Sequence, residues 1–368
     1  MQYELLVFCW MQTVNSRNLV LTALAHREPS RVPVDYWGTR ETDELLCRHF
    51  GVASKDEMLK KLGVDLRYIF PDYTGPRLRS FPDGSYDDLW GVRRKIIKTA
   101  QGTYEHTVFS PLSGINTIDE IEAWSPPSPD WYDYSSLDAQ CDRYQDYATV
   151  VVGDRTNRTS VLHQAIYLRG VQQALTDPIR NPEFTQRLFE EITGFYLEVN
   201  RRCFEAAGDR IDIFMMGDDM GTQEGLLVSP RIFRHFIKPC LAEHVKLAKQ
   251  YGLKVMLHCC GAIRRLIPDF IEMGIDILNP IQVRARDMNP SDLKRDFGDR
   301  LSFHGSIDIQ WTLPRGTPED VRAEVKERVQ TLGKGGGFIL CSTHNIQGDT
   351  PLQNILAMYD EAKRPSKP

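Results

Sequence analysis

A histidine and a cysteine two residues apart are the side chains of this sequence best suited to metal chemistry. His258 and Cys260 lie in the segment HCCG, and alternate residues of an extended segment project to the same side. Zn²⁺ binds imidazole nitrogen and thiolate sulfur, and a catalytic zinc site combines three protein ligands with one open position. Cys341 and His344 are both candidates for the third ligand. The pattern predicts a zinc site that activates a substrate; cysteines that only fill the core are the alternative.

Carboxylates form a second candidate group. Asp218 and Asp219 lie in the segment GDDMGTQ, and because neighbouring residues of an extended segment point to opposite sides, we expect one of them to face a cavity. That side chain could act as a general base, a metal ligand or an anchor for a cationic substrate group, whereas capping of a loop is the structural alternative. Asp72 is a third candidate, with a catalytic and a structural interpretation equally open.

Further polar residues follow other apolar runs. Gln223, Gln282 and Asp308 each come shortly after such a run. In a (β/α)8 barrel the functional side chains lie just beyond the carboxyl ends of the strands. We therefore expect these three residues to orient or line a small-molecule substrate at the barrel mouth.

The elements that position these residues alternate between apolar runs and helical patterns, which predicts an α/β protein with a (β/α)8 TIM barrel. Dipeptides that combine a capping residue with proline, as at Asn289 and Thr317, mark helix starts. Residues 77–108 indicate a hairpin-rich insertion in the first half. The eight expected strands are residues 32–37, 64–70, 148–153, 211–216, 254–257, 275–278, 301–304 and 337–340.

Composition limits the function classes. The 368 residues carry a formal net charge of −5 with 41% hydrophobic residues, which does not favour nucleic-acid binding. No apolar run reaches the about 18 residues of a membrane span. Eight scattered cysteines indicate free thiols in a reducing compartment, so we expect a cytoplasmic protein. Residues 1–15 are an uncertain N-terminal extension, and residues 16–365 are expected to form one domain.

The chain resembles the uroporphyrinogen decarboxylase superfamily from about residue 16 to residue 363. The resemblance starts with SRNLVLTALAHREPSRVP and is most specific in GDDMGTQ, HCCG, LNPIQ, FHGSID and STHNIQGDTPLQNILAMY. It implies a (β/α)8 barrel and, in the branch closest in motif, a zinc-dependent methyltransferase that works with a corrinoid protein. His258 and Cys260 match that branch's His-x-Cys pair; the position of its later cysteine falls on His344, with Cys341 nearby. A homodimer is a further expectation for the family.

The decarboxylase branch of the superfamily offers a metal-free alternative. Asp72 matches that branch's catalytic aspartate in spacing, His344 lies near its late histidine, and Tyr167 lies near its active-site tyrosine. The loop that should carry the branch's principal arginine has Gly38 and only a displaced Arg40. A substrate with many carboxylates needs several cations, so methyl transfer is favoured. A third alternative is a non-catalytic barrel that binds a corrinoid or a tetrapyrrole.

Overall fold

A computed structural model of the chain describes residues 15–99, 102–153 and 158–364. The expected extension at residues 1–15 therefore lies outside the described residues except for its last member. From residue 148 onward, each strand is followed by one or more helices. The helices are α1 (Ser16–Leu24), α2 (Arg40–Phe50), α3 (Lys55–Leu62), α4 (Ile118–Ala123), α5 (Ser136–Arg143), α6 (Leu162–Arg169), α7 (Val171–Arg180), α8 (Pro182–Ala207), α9 (Pro230–Ile232), α10 (Lys238–Gln250), α11 (Ile267–Met273), α12 (Pro290–Phe297), α13 (Thr312–Arg315), α14 (Pro318–Leu332) and α15 (Leu352–Ala362).

Twelve strands are present in the described residues. They are β1 (Leu66–Ile69), β2 (Asp72–Tyr73), β3 (Tyr86–Asp87), β4 (Arg93–Thr99), β5 (Gly102–Phe109), β6 (Tyr132–Asp133), β7 (Ala148–Val151), β8 (Ile213–Gly217), β9 (Lys254–His258), β10 (Ile277–Asn279), β11 (Ser302–Ile307) and β12 (Phe338–Ser342).

Seven of these strands form one curled parallel sheet in the order β1-β7-β8-β9-β10-β11-β12. Their side chains are buried on both faces, as is typical of parallel strands covered by helices. An inner cluster includes Met215 of β8 and Met256 of β9, against which Leu24 of α1 packs. A larger cluster lies between the sheet and the surrounding helices. The chain is thus an α/β protein whose strand ends meet at one edge.

The segment expected as the first strand, residues 32–37, forms isolated bridges instead of a strand. Val34 pairs with Leu340 of β12, and the Val34 carbonyl accepts a hydrogen bond from the Asp65 amide just before β1. Pro33 has no amide hydrogen to donate. The segment therefore contacts both edges of the seven-stranded sheet without being a regular strand.

The first half contains smaller antiparallel sheets. Strands β3, β4 and β5 form a three-stranded sheet within residues 86–109, where hairpins were expected. Strands β2 and β6 form a two-residue pair that joins residues 72–73 to residues 132–133. No helix among the described residues combines the length and the hydropathy that a membrane span requires.

Candidate metal centre

A cavity of about 720 Å³ lies at the carboxyl ends of the parallel strands. Its wall includes residues at the ends of several neighbouring strands: Phe70 beyond β1, Gly217 in β8, His258 in β9 and His344 beyond β12. A cavity of this size at this edge suits a small-molecule ligand.

Three potential metal ligands meet beside this cavity, and two of them, Asp219 and His258, line it. Asp219, His258 and Cys260 each offer a ligand atom within 4.8 Å of the other two. The His258 Nε2 atom lies 3.5 Å from the Cys260 Sγ atom and 3.6 Å from the Asp219 Oδ1 atom. The Cys260 amide also donates to Asp219 Oδ1 at 2.7 Å, which fixes the carboxylate beside the thiol.

The spacing of these atoms fits a tetrahedral zinc ion. With Zn–N near 2.0 Å and Zn–S near 2.3 Å, two ligand atoms at a tetrahedral angle are about 3.5 Å apart. The separation of 3.5 Å between His258 and Cys260 matches this value, and the separation of 3.6 Å between His258 and Asp219 is within about 0.3 Å of the roughly 3.3 Å expected for a nitrogen and an oxygen ligand. Imidazole, thiolate and carboxylate are also the ligand types that zinc uses. The donor set and its geometry therefore suit zinc without rearrangement of the backbone.

Glycines allow the strand ends to approach closely enough to form the cluster. Gly217 is paired with His258 across β8 and β9, and a Cβ atom there would lie 2.8 Å from the His258 Cβ atom. Gly261 has a φ of +94°, and its Cβ would lie 2.5 Å from the Gly221 carbonyl carbon. Contacts under 3.0 Å are not tolerated by a real side chain, so the motifs GDDMG and HCCG pack backbone against backbone.

The two adjacent aspartates have different roles. The Asp218 carboxylate is fully buried and accepts hydrogen bonds from the amides of Val161, Leu162 and His163 at 2.7, 2.8 and 2.6 Å. It thereby caps the start of α6. Asp219 instead lines the cavity. The catalytic role that the sequence suggested for Asp218 is replaced by a structural one, because its carboxylate is occupied by backbone donors.

The ionisation states of two of the three groups suit a metal ion, whereas the thiol would have to lose its proton on binding. Burial, together with the nearby Arg158 guanidinium, lowers the pKa of His258 to about 3. Burial raises the pKa of Asp219, but the interactions with His258 and His163 outweigh it and lower that pKa to about 2. Burial raises the pKa of the Cys260 thiol well above its usual value of 9.0. At neutral pH the imidazole is neutral, the carboxylate is ionised and the thiol keeps its proton.

The two residues considered for the third ligand lie in different places. His344 lines the cavity, with its ring centroid 6.5 Å from that of His258. Cys341 is fully buried and belongs to a second group with Asp35 and His304. The structure therefore does not bring Cys341 to the cluster at His258. Asp219 is closer to His258 because it follows β8, the direct neighbour of β9, whereas His344 follows β12.

The other residues singled out from the sequence are distributed as follows. Tyr167 lines the cavity and has the Arg94 guanidinium 4.1 Å from its ring centroid. Gln282 supports the HCCG turn, because its Oε1 atom accepts from the Gly261 amide at 3.0 Å. Asp308 is buried and accepts from the Gln310 amide at 2.8 Å. Neither Gln282 nor Asp308 is among the described residues that line the cavity.

Asp72 and Gln223 lie away from the cavity as well. Asp72 is exposed in β2, opposite Asp133, and Gln223 is an exposed loop residue whose carbonyl accepts from the Arg286 amide at 2.9 Å. Neither contributes to the described cavity wall. The expectation of a catalytic Asp72 is not supported by this placement, because pairing with β6 holds that segment on the surface.

Sequence reasoning missed several residues of the cavity wall. Trp37 stacks on His258 with ring centroids 5.4 Å apart and an interplanar angle of 25°. The Arg158 Nε atom is buried and has no acceptor among the described residues. His163 accepts from the Asp219 amide at its Nδ1 atom, at 3.1 Å. These residues come from the irregular first half of the chain. Of the three, only Trp37 had an indication in the sequence, the polar or aromatic character of residues 35–37.

Fold and site together describe an α/β protein with a candidate metal cluster at the carboxyl edge of its parallel sheet. The sequence profile of the family described as uroporphyrinogen decarboxylase (URO-D) matches residues 159–365. This is more than half of the chain and includes the whole cluster. The chain belongs to the URO-D family.

Its relatives with a described activity include methyltransferases. The chain is 25% identical over 198 residues to a methylated-thiol–coenzyme M methyltransferase of Methanosarcina mazei, over 54% of this chain and 49% of the relative. It is 27% identical over 147 residues to the methylcobamide:CoM methyltransferase MtaA of Methanosarcina barkeri, over 40% of each. The matched part thus spans half or less of the length of these relatives.

A solved structure supports the fold over nearly the whole chain. The structure described as a methyltransferase from Methanosarcina mazei matches with a TM-score of 0.63 at 18% identity, over 95% of this chain and 98% of that chain. At this level of identity the similarity concerns the fold alone.

Proposed function

We propose that this protein is a zinc-dependent methyltransferase that moves a methyl group between a small molecule and a corrinoid protein. The observation that carries the proposal is that His258 Nε2 lies 3.5 Å from Cys260 Sγ and 3.6 Å from Asp219 Oδ1, beside a cavity that His258 and Asp219 line. The similarity to corrinoid-dependent methyltransferases supplies the reaction class.

His258, Cys260 and Asp219 would hold the ion, and the remaining side would face the cavity toward His344. When bound, zinc acts as a Lewis acid that favours the thiolate form of a substrate thiol at neutral pH. Either His344 or a substrate atom would complete the coordination. The sequence-based assignment of His344 as a ligand stays a prediction in this proposal.

The other cavity residues would bind and orient the substrate. Trp37 fixes the plane of the His258 ring through its stacking contact. The Arg158 Nε atom lacks an acceptor among the described residues, so it would donate a hydrogen bond to an anionic or carbonyl oxygen of the substrate. Tyr167 would form part of the opposite wall.

We extend the proposal to the architecture. Residues 16–365 would form one (β/α)8 domain in which the segment at residues 32–37 occupies the eighth strand position, since it hydrogen-bonds toward both β12 and β1. The sheet of β3, β4 and β5 would be an insertion in this barrel. All seven described cysteines are unpaired, which is consistent with a cytoplasmic location. Association as a homodimer remains part of the proposal.

The first experiment is to measure the zinc content of the purified protein and of two single variants by plasma mass spectrometry. We expect about one zinc per chain in the wild-type protein. The Cys260→Ala variant should lose the metal while retaining the fold, because it removes the only sulfur ligand of the cluster among the described residues.

Cys259→Ala is the matched control. Cys259 is the adjacent residue and is fully buried, but its sulfur accepts from the Met220 amide at 3.3 Å and does not belong to the cluster. This variant should keep its zinc. Stoichiometric zinc in the Cys260→Ala variant, or none in the wild-type protein after zinc-replete expression, contradicts the proposal. A zinc-loaded protein is then assayed for methyl transfer from a methylcorrinoid to a thiol, followed by the corrinoid absorbance.

A decarboxylase remains the second candidate because of one specific similarity. The chain is 34% identical to a uroporphyrinogen decarboxylase of Pseudoalteromonas translucida over 67 residues, 18% of each protein. Gly38 lines the cavity without offering a cation, and Arg40 is an exposed residue paired with Glu44. Decarboxylation of a tetrapyrrole acid that is unaffected by chelators would favour this candidate over methyl transfer.

A further inference from the structure

Three side chains from three adjacent strands lie at one level beside the metal cluster. His258 of β9 is paired with Asn279 of β10. Strands β10 and β11 pair Ile277 with Ser302 and Leu278 with Phe303, so the next level brings Asn279 beside His304. All three residues are buried. The register of the sheet thus connects His258 to a histidine that lies two strands away.

The hydrogen bonds along this row have only one consistent direction. Asn279 Oδ1, an acceptor, lies 2.6 Å from His258 Nδ1, so this ring nitrogen carries the hydrogen. Asn279 Nδ2, a donor, lies 2.5 Å from His304 Nδ1, which must therefore accept. With Nδ1 accepting, the ring hydrogen of His304 is on Nε2, which lies 2.9 Å from Asp35 Oδ2.

Asp35 determines the direction of these hydrogen bonds because the oxygens of its carboxylate only accept. Its Oδ2 atom accepts from the Tyr68 hydroxyl at 2.5 Å and its Oδ1 atom accepts from the Tyr36 amide at 2.8 Å. With a single hydrogen on the His304 ring, a reversed chain would turn an unprotonated Nε2 toward the carboxylate, and two acceptors would face each other in a buried site. The reversed chain would also place a hydrogen on His258 Nε2, where the metal would bind.

We infer that Asp35, acting through His304 and Asn279, selects the tautomer of His258 that leaves Nε2 free for the metal. Asp35, His304 and Asn279 are positioning residues, since none of them belongs to the cluster with Cys260. The consequence for metal binding rests on the proposed function. The tautomer of His258 itself is a property of the metal-free protein. The row of hydrogen bonds also accounts for the group of Asp35, His304 and Cys341, in which His304 already uses both ring nitrogens in hydrogen bonds.

The test is long-range ¹H–¹⁵N NMR of the histidine rings in metal-free protein. We expect His258 of the wild-type chain, assigned by its loss in His258→Gln, to be protonated at Nδ1 and unprotonated at Nε2. In Asp35→Asn the new amide would donate to His304 Nε2, and the whole chain would reverse, so that His258 becomes protonated at Nε2. His244, which has no hydrogen-bond partner among the described residues, is the internal reference.

Zinc affinity provides a second readout. Asn279→Leu removes the two hydrogen bonds that Asn279 makes in the row and should weaken zinc binding about 10- to 100-fold, as is typical for the loss of such a partner. Asn354→Leu is the matched control: Asn354 is equally buried, but its amide donates to the carbonyls of Leu313 and Gly316. This variant should keep the wild-type affinity.

The outcomes separate the inference from the proposed function. An Nε2-protonated His258 in the wild-type protein, the same tautomer in Asp35→Asn as in the wild type, or equal zinc affinity in the two leucine variants would overturn the inference. A wild-type protein that shows the expected tautomer but binds no zinc contradicts the proposed function and leaves the selection by Asp35 in place.

Discussion

At the scale of single residues, Cys259 and Cys260 show how one step along the chain separates a core residue from a candidate metal ligand. Cys259 is enclosed by the core, and its sulfur faces the Met220 amide. Cys260 faces His258 and Asp219, which line the cavity. The alternation of side chains in an extended segment was enough to select Cys260 from the sequence, because the pattern needs only two local positions.

The protonated thiol of Cys260 leads to a prediction about pH. Burial raises the pKa of this thiol well above 9.0, whereas the pKa values of His258 and Asp219 are lowered to about 3 and about 2. Between pH 6 and pH 8, zinc must therefore displace one proton, that of the thiol. The zinc association constant should increase about tenfold per pH unit, measured by competition with a chelator of known pH dependence. A constant independent of pH would show that Cys260 is not a ligand.

The choice between Asp218 and Asp219 could not be made from the sequence. Both carboxylates follow the same strand, and which of them faces the cavity depends on the amides of residues 161–163, which lie more than fifty positions earlier. The same holds for Trp37, whose contact with His258 joins residues far apart in the chain. The spacing of residues in the sequence predicts which side chains could be ligands. Contacts with residues distant in the sequence determine which of these side chains face the cavity.

At the scale of helices and strands, the sequence predicted best those elements that depend on neighbouring residues. The helix start that the sequence marks at Thr317 is that of α14, because Thr317 caps this helix and Asp320 completes a capping box. Seven of the eight expected strands are present. Residues 32–37 and the two-residue strands β2 and β6 depend on partners distant in sequence, so a pattern of apolar residues could not define them.

The turn of the HCCG motif offers a prediction at this scale. Gly261→Ala adds a Cβ atom to a residue with a φ of +94° and places it 2.5 Å from the Gly221 carbonyl carbon. The left-handed backbone alone costs about 1–2 kcal/mol, and the contact with the backbone adds about 1–3 kcal/mol. The free energy of unfolding should decrease by roughly 3 kcal/mol in urea titrations, and zinc binding should weaken because Cys260 moves.

Gly335→Ala is the matched control for the backbone conformation. Gly335 has a φ of +74°, but its Cβ would meet no atom of the described structure within 4 Å. This variant should lose only about 1–2 kcal/mol and keep its zinc. Equal losses in the two variants would show that the contact between Gly261 and Gly221 contributes nothing.

At the scale of the whole molecule, one buried carboxylate joins the N-terminal segments to the sheet. Asp65 accepts from both terminal nitrogens of Arg31 at 2.7 Å, from the Ser16 hydroxyl at 2.7 Å and from the Val34 amide at 2.8 Å. These donors come from α1, from the segment before α2 and from the bridge toward β12. The Asp65 side chain is fully buried, so its interactions are little screened by solvent.

Replacement of this carboxylate should therefore affect the stability of the entire fold. Asp65→Asn leaves Arg31 without its charged partner, and loss of one member of a buried ion pair costs roughly 3 kcal/mol or more. Glu44→Gln, at the exposed pair with Arg40, should change the free energy of unfolding by less than about 0.5 kcal/mol. Urea unfolding of the two variants measures the difference, and a similar small effect in both would contradict a joining role for Asp65.

The stacking of Trp37 on His258 places a fluorescent side chain directly beside the candidate metal centre. The indole shares a face with one candidate ligand, approaches His304 at 5.9 Å between ring centroids and donates its Nε1 hydrogen to Tyr68 at 2.7 Å. An excited indole is sensitive to charge and polarity at its face, and no other tryptophan of the described residues lines the cavity. The fluorescence of Trp37 is thus an intrinsic optical reporter of any metal or ligand that enters the cavity, with no added label.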